Sequence, residues 1–337
     1  AYLVIDEKIT LIDFVKEPFT EDLIANIERV VPLEKIDVMI CNHIEPDHSG
    51  ALPALADRLP NVPIYATAAA GRGLKQYYKR DFNLVPVKKG DTLCTGRYHF
   101  HFLPMPMVHW PDSMSTYLAE EEILFSNDAF GQHLATKERF DDEIGLERLL
   151  ERAGNYYANI VLPFGAQVNK VLAEAAQLSI RMICPSHGVI LRSYIPQMLE
   201  KYKKWANYES DEDRAVVIYD TMWGSTRILA ERIAADFESR GVHAKRIDLA
   251  KTHVSEAISD VLEARYIAVG SPTLNRNMMP TVAAFTTYLK GLAPKNRVGL
   301  AFGSYGWSGE SIAQIEALLR DECGYEMMES VKAVYRP

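Results

Sequence analysis

Four side chains that can donate an electron pair to a metal ion lie close together near the start of the chain. The stretch "CNHIEPDHSG", residues 41–50, follows a strand-like run and contains His43, Glu45, Asp47 and His48. A strand-to-helix turn can aim such side chains into one cavity, and clusters of His, Asp and Glu are the material of metal sites. The alternative is a loop of hydrogen-bonded histidines and helix-capping carboxylates, and the density of donors makes it the weaker interpretation.

Three further donors occur downstream, each in a predicted loop after a strand-like run. They are His109 in "MVHWPDS", Asp128 in "LFSNDAF" and His187 in "CPSHG". The first motif, H-x-E-x-D-H, is thus followed by His, Asp and His in that order. This series predicts a metal site assembled from several separate turns.

A second candidate site begins with "VVIYDTMWGSTRILAERIA", which indicates a strand, a short hydroxyl-rich turn and a helix. Thr221, Ser225 and Thr226 offer hydroxyl groups, and Gly224 permits a tight turn. Backbone N–H groups at a helix start can hold a phosphate dianion. The turn has neither a Walker lysine nor a G-x-G-x-x-G pattern, so it indicates neither a P-loop nor a Rossmann site. Taken alone, it is equally compatible with a capped helix that binds nothing.

Two later loops favour a bound ligand. "GSPTLNRNMMP" (270–280) and "GSYGWSGES" (303–311) each follow a predicted strand in the same part of the chain. Both are polar and contain glycine, and Tyr305 and Trp307 could flank a flat ring. The three loops together predict a site for a phosphorylated aromatic cofactor.

The predicted elements divide the chain into two kinds of pattern. The first two hundred residues mix strands and helices, beginning with a hairpin turned at Glu7-Lys8 and a helix capped by Thr20, which suggests two packed sheets with helices outside. The polar stretch "KKWANYESDEDR" indicates a linker. Strands then alternate with helices, as in a doubly wound parallel sheet that binds its ligand at the carboxyl ends of the strands.

The composition narrows the class of protein. Hydrophobic residues make up 48% and charged residues 24%, and 37 basic against 45 acidic residues give a net charge of −8. These values indicate a globular chain and argue against nucleic acid as the main partner. No apolar stretch has the length of a membrane span. The four cysteines are scattered without a C-x-x-C pair, which fits a reducing compartment, and a cytoplasmic location is expected.

The donor series and the T-M-x-x-S-T turn together resemble the flavodiiron proteins. The resemblance implies an α/β chain with a metallo-β-lactamase-like αββα sandwich, followed by a flavodoxin-like doubly wound parallel sheet. The expected bounds are 1–205 for the diiron domain, 206–213 for the linker and 214–337 for the FMN domain. Both ends fall within strand-like runs, so we expect the family's chain to extend further in each direction.

The resemblance also implies a ligand set. Zinc hydrolases of this fold carry H-x-H-x-D-H, whereas this chain has Glu45 at the middle position, which makes the site harder and more anionic and suits two iron ions. Asp128 is expected to bridge the ions, and a crowded site could leave His48 without a bond to metal. The remaining ligands divide into one set for each iron: His43, Glu45 and His109 for the first, and Asp47, His48 and His187 for the second.

For FMN, the resemblance assigns three groups of residues to the phosphate turn and the ring loops. These are Thr221, Met222, Trp223, Gly224, Ser225 and Thr226; Ser271, Pro272, Thr273, Leu274 and Asn275; and Ser304, Tyr305, Gly306, Trp307 and Gly309.

The implied activity is that of a terminal oxidoreductase. Electrons would pass from a rubredoxin-type donor through FMN to the diiron centre and reduce O2 to water, NO to N2O, or both. A head-to-tail homodimer, alone or as a dimer of dimers, is also implied. The competing interpretation is a zinc-dependent hydrolase of the lactamase fold with a flavodoxin-like domain used for docking.

Overall fold

A computed structural model describes all residues, Ala1–Pro337, and the chain divides into two compact units. The first unit comprises residues 1–153 and 166–199, and the second comprises residues 154–165 and 200–337. None of the helices combines the length and apolar character that crossing a bilayer requires.

The first unit contains ten strands and all or part of each of eight helices. The strands are β1 Tyr2–Val4, β2 Ile9–Ile12, β3 Ile36–Ile40, β4 Ile64–Thr67, β5 Leu84–Val87, β6 Thr92–Cys94, β7 His99–Pro104, β8 Met114–Leu118, β9 Ile123–Asn127 and β10 Met182–Pro185. The helices are α1 Thr20–Glu28, α2 Pro46–Ser49, α3 Leu52–Arg58, α4 Ala68–Tyr78, α5 Asp141–Ile144, α6 Leu146–Tyr156, α7 Gly165–Ala175 and α8 Ile195–Ala206.

These strands form two five-stranded sheets, ordered β1-β2-β3-β4-β5 and β10-β9-β8-β7-β6. The predicted hairpin is present as the antiparallel pair β1–β2, while β2 to β5 pair in parallel. In the second sheet, β6 to β9 are antiparallel and β10 pairs in parallel with β9.

Successive side chains of β3 serve two hydrophobic cores because they point to opposite faces of the sheet. Val38 and Ile40 pack in one cluster with Phe100 and Phe102 of the second sheet. Met39 belongs to the other cluster, which contains apolar residues of α1, α3 and α4. The two sheets therefore face each other with helices outside, which confirms the predicted αββα sandwich.

The second unit contains one parallel sheet with the strand order β12-β11-β13-β14-β15, and β16 also pairs with β14. Its strands are β11 Asp211–Tyr219, β12 His243–Asp248, β13 Ala264–Gly270, β14 Val298–Tyr305, β15 Glu326–Met327 and β16 Val331–Val334. Its helices are α9 Ser225–Ser239, α10 Val254–Val261, α11 Pro280–Leu292 and α12 Glu310–Ala317. This is the doubly wound sheet that the alternating pattern predicts.

One local prediction was wrong. The first helix begins at Thr20 itself, because a 3-10 turn at Glu17–Phe19 leads directly into it and the hydroxyl of Thr20 donates to the carbonyl of Glu17 (2.7 Å). The connection between α8, which ends at Ala206, and β11, which begins at Asp211, falls within the predicted linker 206–213.

The segment 154–165 is part of the second unit because its asparagine side chains hydrogen-bond to other residues of that unit. The Asn155 amide donates to Ser259 Oγ (2.6 Å), and the Asn159 amide donates to the carbonyl of Ser255 (3.1 Å). The hydroxyl of Tyr288 donates to Asn159 Oδ1 (2.8 Å). These bonds join residues about a hundred positions apart, so no local pattern could reveal them.

Glu263 anchors the end of α8 to the sheet of the second unit. Its carboxylate accepts hydrogen bonds from Lys201 (2.6 Å), from the indole of Trp205 (2.9 Å) and from Arg214 (3.0 Å). Burial opposes ionisation, but the hydrogen bonds from Lys201 and Trp205 outweigh it and lower the pKa of Glu263. The ionised form is therefore the one that stabilises the fold.

We predict that Glu263→Gln lowers the free energy of unfolding at pH 7 by about 1–3 kcal/mol, because charge-assisted hydrogen bonds are lost. A carboxylate with a lowered folded-state pKa contributes above its unfolded pKa of about 4.5, and the contribution disappears as pH falls through the folded value. The difference between variant and wild type should therefore shrink below pH 4.5 in denaturant titrations. The exposed Glu231→Gln is the control. A difference that stays constant down to pH 3 would contradict this account.

Candidate metal centre and cofactor cleft

The seven predicted metal donors meet at the ends of strands in the first unit. His43 to His48 follow β3, and His109 lies in the loop between β7 and β8. Asp128 comes directly after β9, and His187 comes shortly after β10. Loops at strand ends can bring distant side chains together on a rigid scaffold, which is why sequence separation does not keep these donors apart.

The first set of donors consists of His43, Glu45, His109 and one oxygen of Asp128. Glu45 Oε2 lies 3.3 Å from His43 Nε2 and 3.2 Å from His109 Nε2. Asp128 Oδ2 lies 3.6 Å from His43 Nε2 and 3.3 Å from His109 Nε2. Donors about 2.1 Å from one ion are roughly 3–3.5 Å from each other, so this spacing suits a shared ion.

The second set consists of Asp47, His48 and His187. Asp47 Oδ2 lies 3.5 Å from His48 Nε2 and 3.3 Å from His187 Nε2. The other oxygen of Asp128, Oδ1, lies 2.9 Å from His48 Nε2 and 3.3 Å from His187 Nε2. Asp128 thus turns one oxygen to each set, which is the geometry of a bridging carboxylate.

Several of these atoms are buried without a hydrogen-bond partner. The buried atoms without a partner are both oxygens of Asp128, Asp47 Oδ1 and His48 Nε2. The 2.9 Å approach of His48 Nε2 to Asp128 Oδ1 is close enough for an ion pair but lacks hydrogen-bond geometry. Buried polar groups are rarely left unpaired, so these atoms indicate a site built to bind a cation.

The site is strongly anionic. Burial alone would lower the pKa of His43, but hydrogen bonds to Asp112 and Glu45 outweigh it and raise the pKa to about 10. Carboxylate contacts likewise overcome burial and raise the pKa of His109 and of His187 to about 9. Hydrogen bonds from His109 and His43 lower the pKa of Glu45 to about 2. Positive charge is therefore favoured in this pocket, and either protons on these imidazoles or a bound metal cation can carry it.

Sequence reasoning missed a buried polar network that supports the donor loops. Asp13, at the end of β2, accepts from the backbone N–H of Asn42 (2.7 Å) and from the amides of Asn42 (3.1 Å) and Asn127 (3.3 Å). Asn42 and Asn127 directly precede His43 and Asp128 in the chain. Asp13 thus ties together two donor loops, and only its position at the end of an apolar strand gave a signal in the sequence.

The turn after β11 is held in shape by its own side chains. Gly224 has φ of +87°, a left-handed conformation that favours glycine, and immediately precedes α9. Its N–H donates to Thr221 Oγ1 (3.0 Å), and the N–H of Thr221 donates to Asp220 Oδ1 (2.6 Å). Buried Thr226, in the first turn of α9, shares a hydrogen bond with Ser304 (2.9 Å), which joins the start of this helix to the end of β14.

A cleft of about 690 Å³ lies between the three predicted cofactor loops of the second unit. Trp223 and Trp307 stand at its edge with 91% and 92% of their surfaces exposed. The predicted residues that line it are Thr221, Met222, Trp223, Ser225, Pro272, Thr273, Asn275, Ser304, Tyr305, Gly306 and Trp307.

The other predicted cofactor residues lie outside the lining. Thr226 and Ser271 are fully buried beneath the cleft loops, and Leu274 forms a two-way backbone bridge with Asn277. Gly309 immediately precedes α12, and Gly224 shapes the turn. The lining also includes Ser308, which lies in the predicted loop 303–311. Sequence reasoning did not assign Arg276, although it lies in the predicted loop 270–280, or Tyr335 and Arg336, which lie outside the predicted loops.

Known proteins match both units. Residues 1–188 match the family described as ODP family beta lactamase, and residues 217–333 match Flavodoxin. A nitric oxide reductase of Moorella thermoacetica is 41% identical over 323 residues, which cover 95% of this chain and 81% of that protein. The solved rubredoxin oxygen:oxidoreductase of Desulfovibrio gigas is 38% identical with a TM-score of 0.96, covering 100% of this chain and 85% of that one.

A flavodiiron protein from Giardia intestinalis has a TM-score of 0.95 at 33% identity, and the match covers 99% of this chain and 83% of that structure. The chain belongs to the flavodiiron family. The two units are accordingly a metallo-β-lactamase-like domain and a flavodoxin domain, and both expectations from the sequence are confirmed.

The cofactors of this family are FMN and a pair of irons, and the residues present fit both. The unpaired oxygens of Asp128 and the two flanking donor sets suit two ions. Oxygen and imidazole donors without any thiolate suit iron. The flavodoxin cleft offers a helix N-terminus for a phosphate and aromatic side chains for a ring.

Gly50 sets the position of α2, which carries Asp47 and His48. A Cβ added at Gly50 would lie 2.4 Å from the backbone nitrogen of Glu17, and backbone atoms cannot move aside cheaply. We predict that Gly50→Ala costs about 1–3 kcal/mol of stability and reduces the iron bound per chain. Gly71→Ala is the control, because its Cβ would meet only the flexible end of Leu84 (3.3 Å). Equal iron content and equal denaturation midpoints in the two variants would disprove the prediction.

Proposed function

We propose that this flavodiiron protein is an oxidoreductase that passes electrons from FMN to a diiron centre and reduces O2 to water, NO to N2O, or both. The observation that carries the proposal is the carboxylate of Asp128, whose two oxygens face two separate sets of donors. Relatives named nitric oxide reductase and rubredoxin oxygen:oxidoreductase support both substrates.

We assign the ligands as the two donor sets suggest. His43, Glu45 and His109 serve one iron, and Asp47, His48 and His187 serve the other, with Asp128 between them. His48 is included because its Nε2 lies within reach of Asp47 and Asp128 like the Nε2 of His187. When bound, FMN supplies electrons one or two at a time and the irons supply a redox-active centre for a small diatomic molecule.

The protein's own groups hold and surround that centre. The carboxylates of Glu45, Asp47 and Asp128 balance the charge of the metal pair. Trp110 packs edge-on against His43, with ring centroids 5.1 Å apart, and is about one-third exposed. It restricts how the His43 ring can move and covers part of the site with an apolar surface.

The flavodoxin domain is proposed to bind FMN through the turn at 221–226, with the ring between the loops at 271–275 and 304–309. We further infer a rubredoxin-type donor and a head-to-tail homodimer, as the family resemblance implies. Sedimentation equilibrium tests the inferred homodimer, because a monomer mass at micromolar concentration would exclude a dimer.

Turnover with reduced rubredoxin tests the proposed activity: a measured amount of O2 or of NO is added to separate anaerobic samples, and the consumption of each gas is followed. Consumption of at least one, with about two irons and one FMN per chain, is the expected result. The competing zinc hydrolase is not favoured by the named relatives. Zinc in place of iron, with hydrolysis of thioesters and no reductase activity, would overturn the proposal.

Asp128→Ala removes the bridging carboxylate and should reduce turnover of both substrates by at least roughly 100-fold, with loss of iron, while FMN stays bound. The control is Asp6→Ala, which removes a carboxylate that hydrogen-bonds to Thr95 and Tyr98. Iron analysis, flavin absorbance and turnover are measured on the same samples. Retained activity in the Asp128 variant would remove the bridging assignment.

Thr221→Val keeps the side-chain shape but removes the hydroxyl that holds the phosphate turn. We predict about tenfold weaker binding of FMN, corresponding to one lost hydrogen bond, with riboflavin binding unchanged because it carries no phosphate. Thr221→Ser should restore FMN affinity. Fluorescence titration of the flavin-free protein provides the measurement, and equal weakening for both flavins would argue against a phosphate role.

A further inference from the structure

Asp112 is a buried carboxylate that touches a metal ligand without belonging to either donor set. It lies three residues after His109 and is only 3% exposed. Its Oδ2 lies 2.9 Å from His43 Nδ1 and accepts the backbone N–H of Ile44 at 2.9 Å. Its carbonyl accepts the hydroxyl of Thr67 (3.1 Å). The side chain is thus fixed both to His43 and to the backbone beside it.

This contact determines which nitrogen of His43 can bind metal. Because the carboxylate faces Nδ1, the proton of the neutral ring is held there and Nε2 keeps its lone pair free. Nε2 is the atom that faces Glu45 and Asp128. A carboxylate behind a ligating imidazole also makes the ring a stronger donor.

His48, in the other donor set, has no carboxylate facing its Nδ1. The neighbour of its Nδ1 is the side-chain amide nitrogen of Asn127 at 3.5 Å, and that amide also faces Asp13 Oδ2 at 3.3 Å. An amide nitrogen is a donor and cannot accept a proton from Nδ1. The two sets therefore differ in the groups behind their first histidines.

We propose that Asp112 is a positioning residue that makes the His43–Glu45–His109 position the tighter of the two metal positions, so that this position fills first and empties last. The inference rests on the proposed diiron function. It predicts that the two metal positions bind iron with different affinities, which the ligand assignment alone does not predict.

The test uses two full-length backgrounds, each retaining one intact position. His187→Ala keeps the His43 position, and His109→Ala keeps the other. Asp112→Asn is introduced into both, since the amide preserves the shape and removes the charge. Ferrous affinity is measured anaerobically by competition with a chelator. We expect about 10–100-fold weaker binding in the His187→Ala background and no more than about twofold in the His109→Ala background. Equal effects in the two backgrounds, or none in the first, would overturn the proposal.

A second measurement on otherwise unaltered protein covers the case in which single-position variants hold no iron. During chelator challenge, wild type should lose its irons in two phases, and Asp112→Asn should speed the slower phase about 10–100-fold while leaving the faster one unchanged. Asp6→Asn is the control for general destabilisation. Wild type without an iron pair would refute the proposed function, whereas a wild-type pair with an unaltered slow phase in Asp112→Asn would refute this inference alone.

Discussion

A buried carboxylate with both oxygens lacking hydrogen-bond partners is the constraint around which the first domain is organised. Asp128 is 2% exposed, and the cost of burying its charge is offset only by cations. The segments that follow β3 and β10, and the loop between β7 and β8, meet at this residue, which itself follows β9. Each oxygen then faces its own imidazole and carboxylate set, and in the proposed assignment this single side chain links the two metal positions.

The second domain forms its proposed phosphate site mainly from backbone groups. A left-handed glycine and a hydroxyl-braced turn orient N–H groups at the start of a long helix, where a phosphate is favoured. Neighbouring loops supply the aromatic side chains that a flat ring requires. Arg276 and Arg336 at the same cleft place positive charge near the site, in a chain whose net charge is −8.

The residues that carry the chemistry were easier to predict from the sequence than the residues that hold them in place. The donors could be found because H-x-E-x-D-H packs them within one turn and because each later donor follows an apolar strand. The T-M-x-x-S-T turn could be recognised because its residues also lie close together in the sequence. Asp13 and Asp112 could not be identified, since a lone aspartate looks the same whether it is solvated or holds a ligand loop. The segment 154–165 escaped prediction because its partners lie about a hundred residues away. Thr20 was misplaced because Pro18 starts a turn before the expected cap.

We propose that seven side chains from four loop segments hold two irons on either side of Asp128. Diffraction from crystals of the iron-loaded protein at wavelengths above and below the iron absorption edge tests it most directly. Two anomalous peaks are expected, one beside His43, Glu45 and His109 and the other beside Asp47, His48 and His187. A single peak, or peaks that appear at the zinc edge instead, would contradict it.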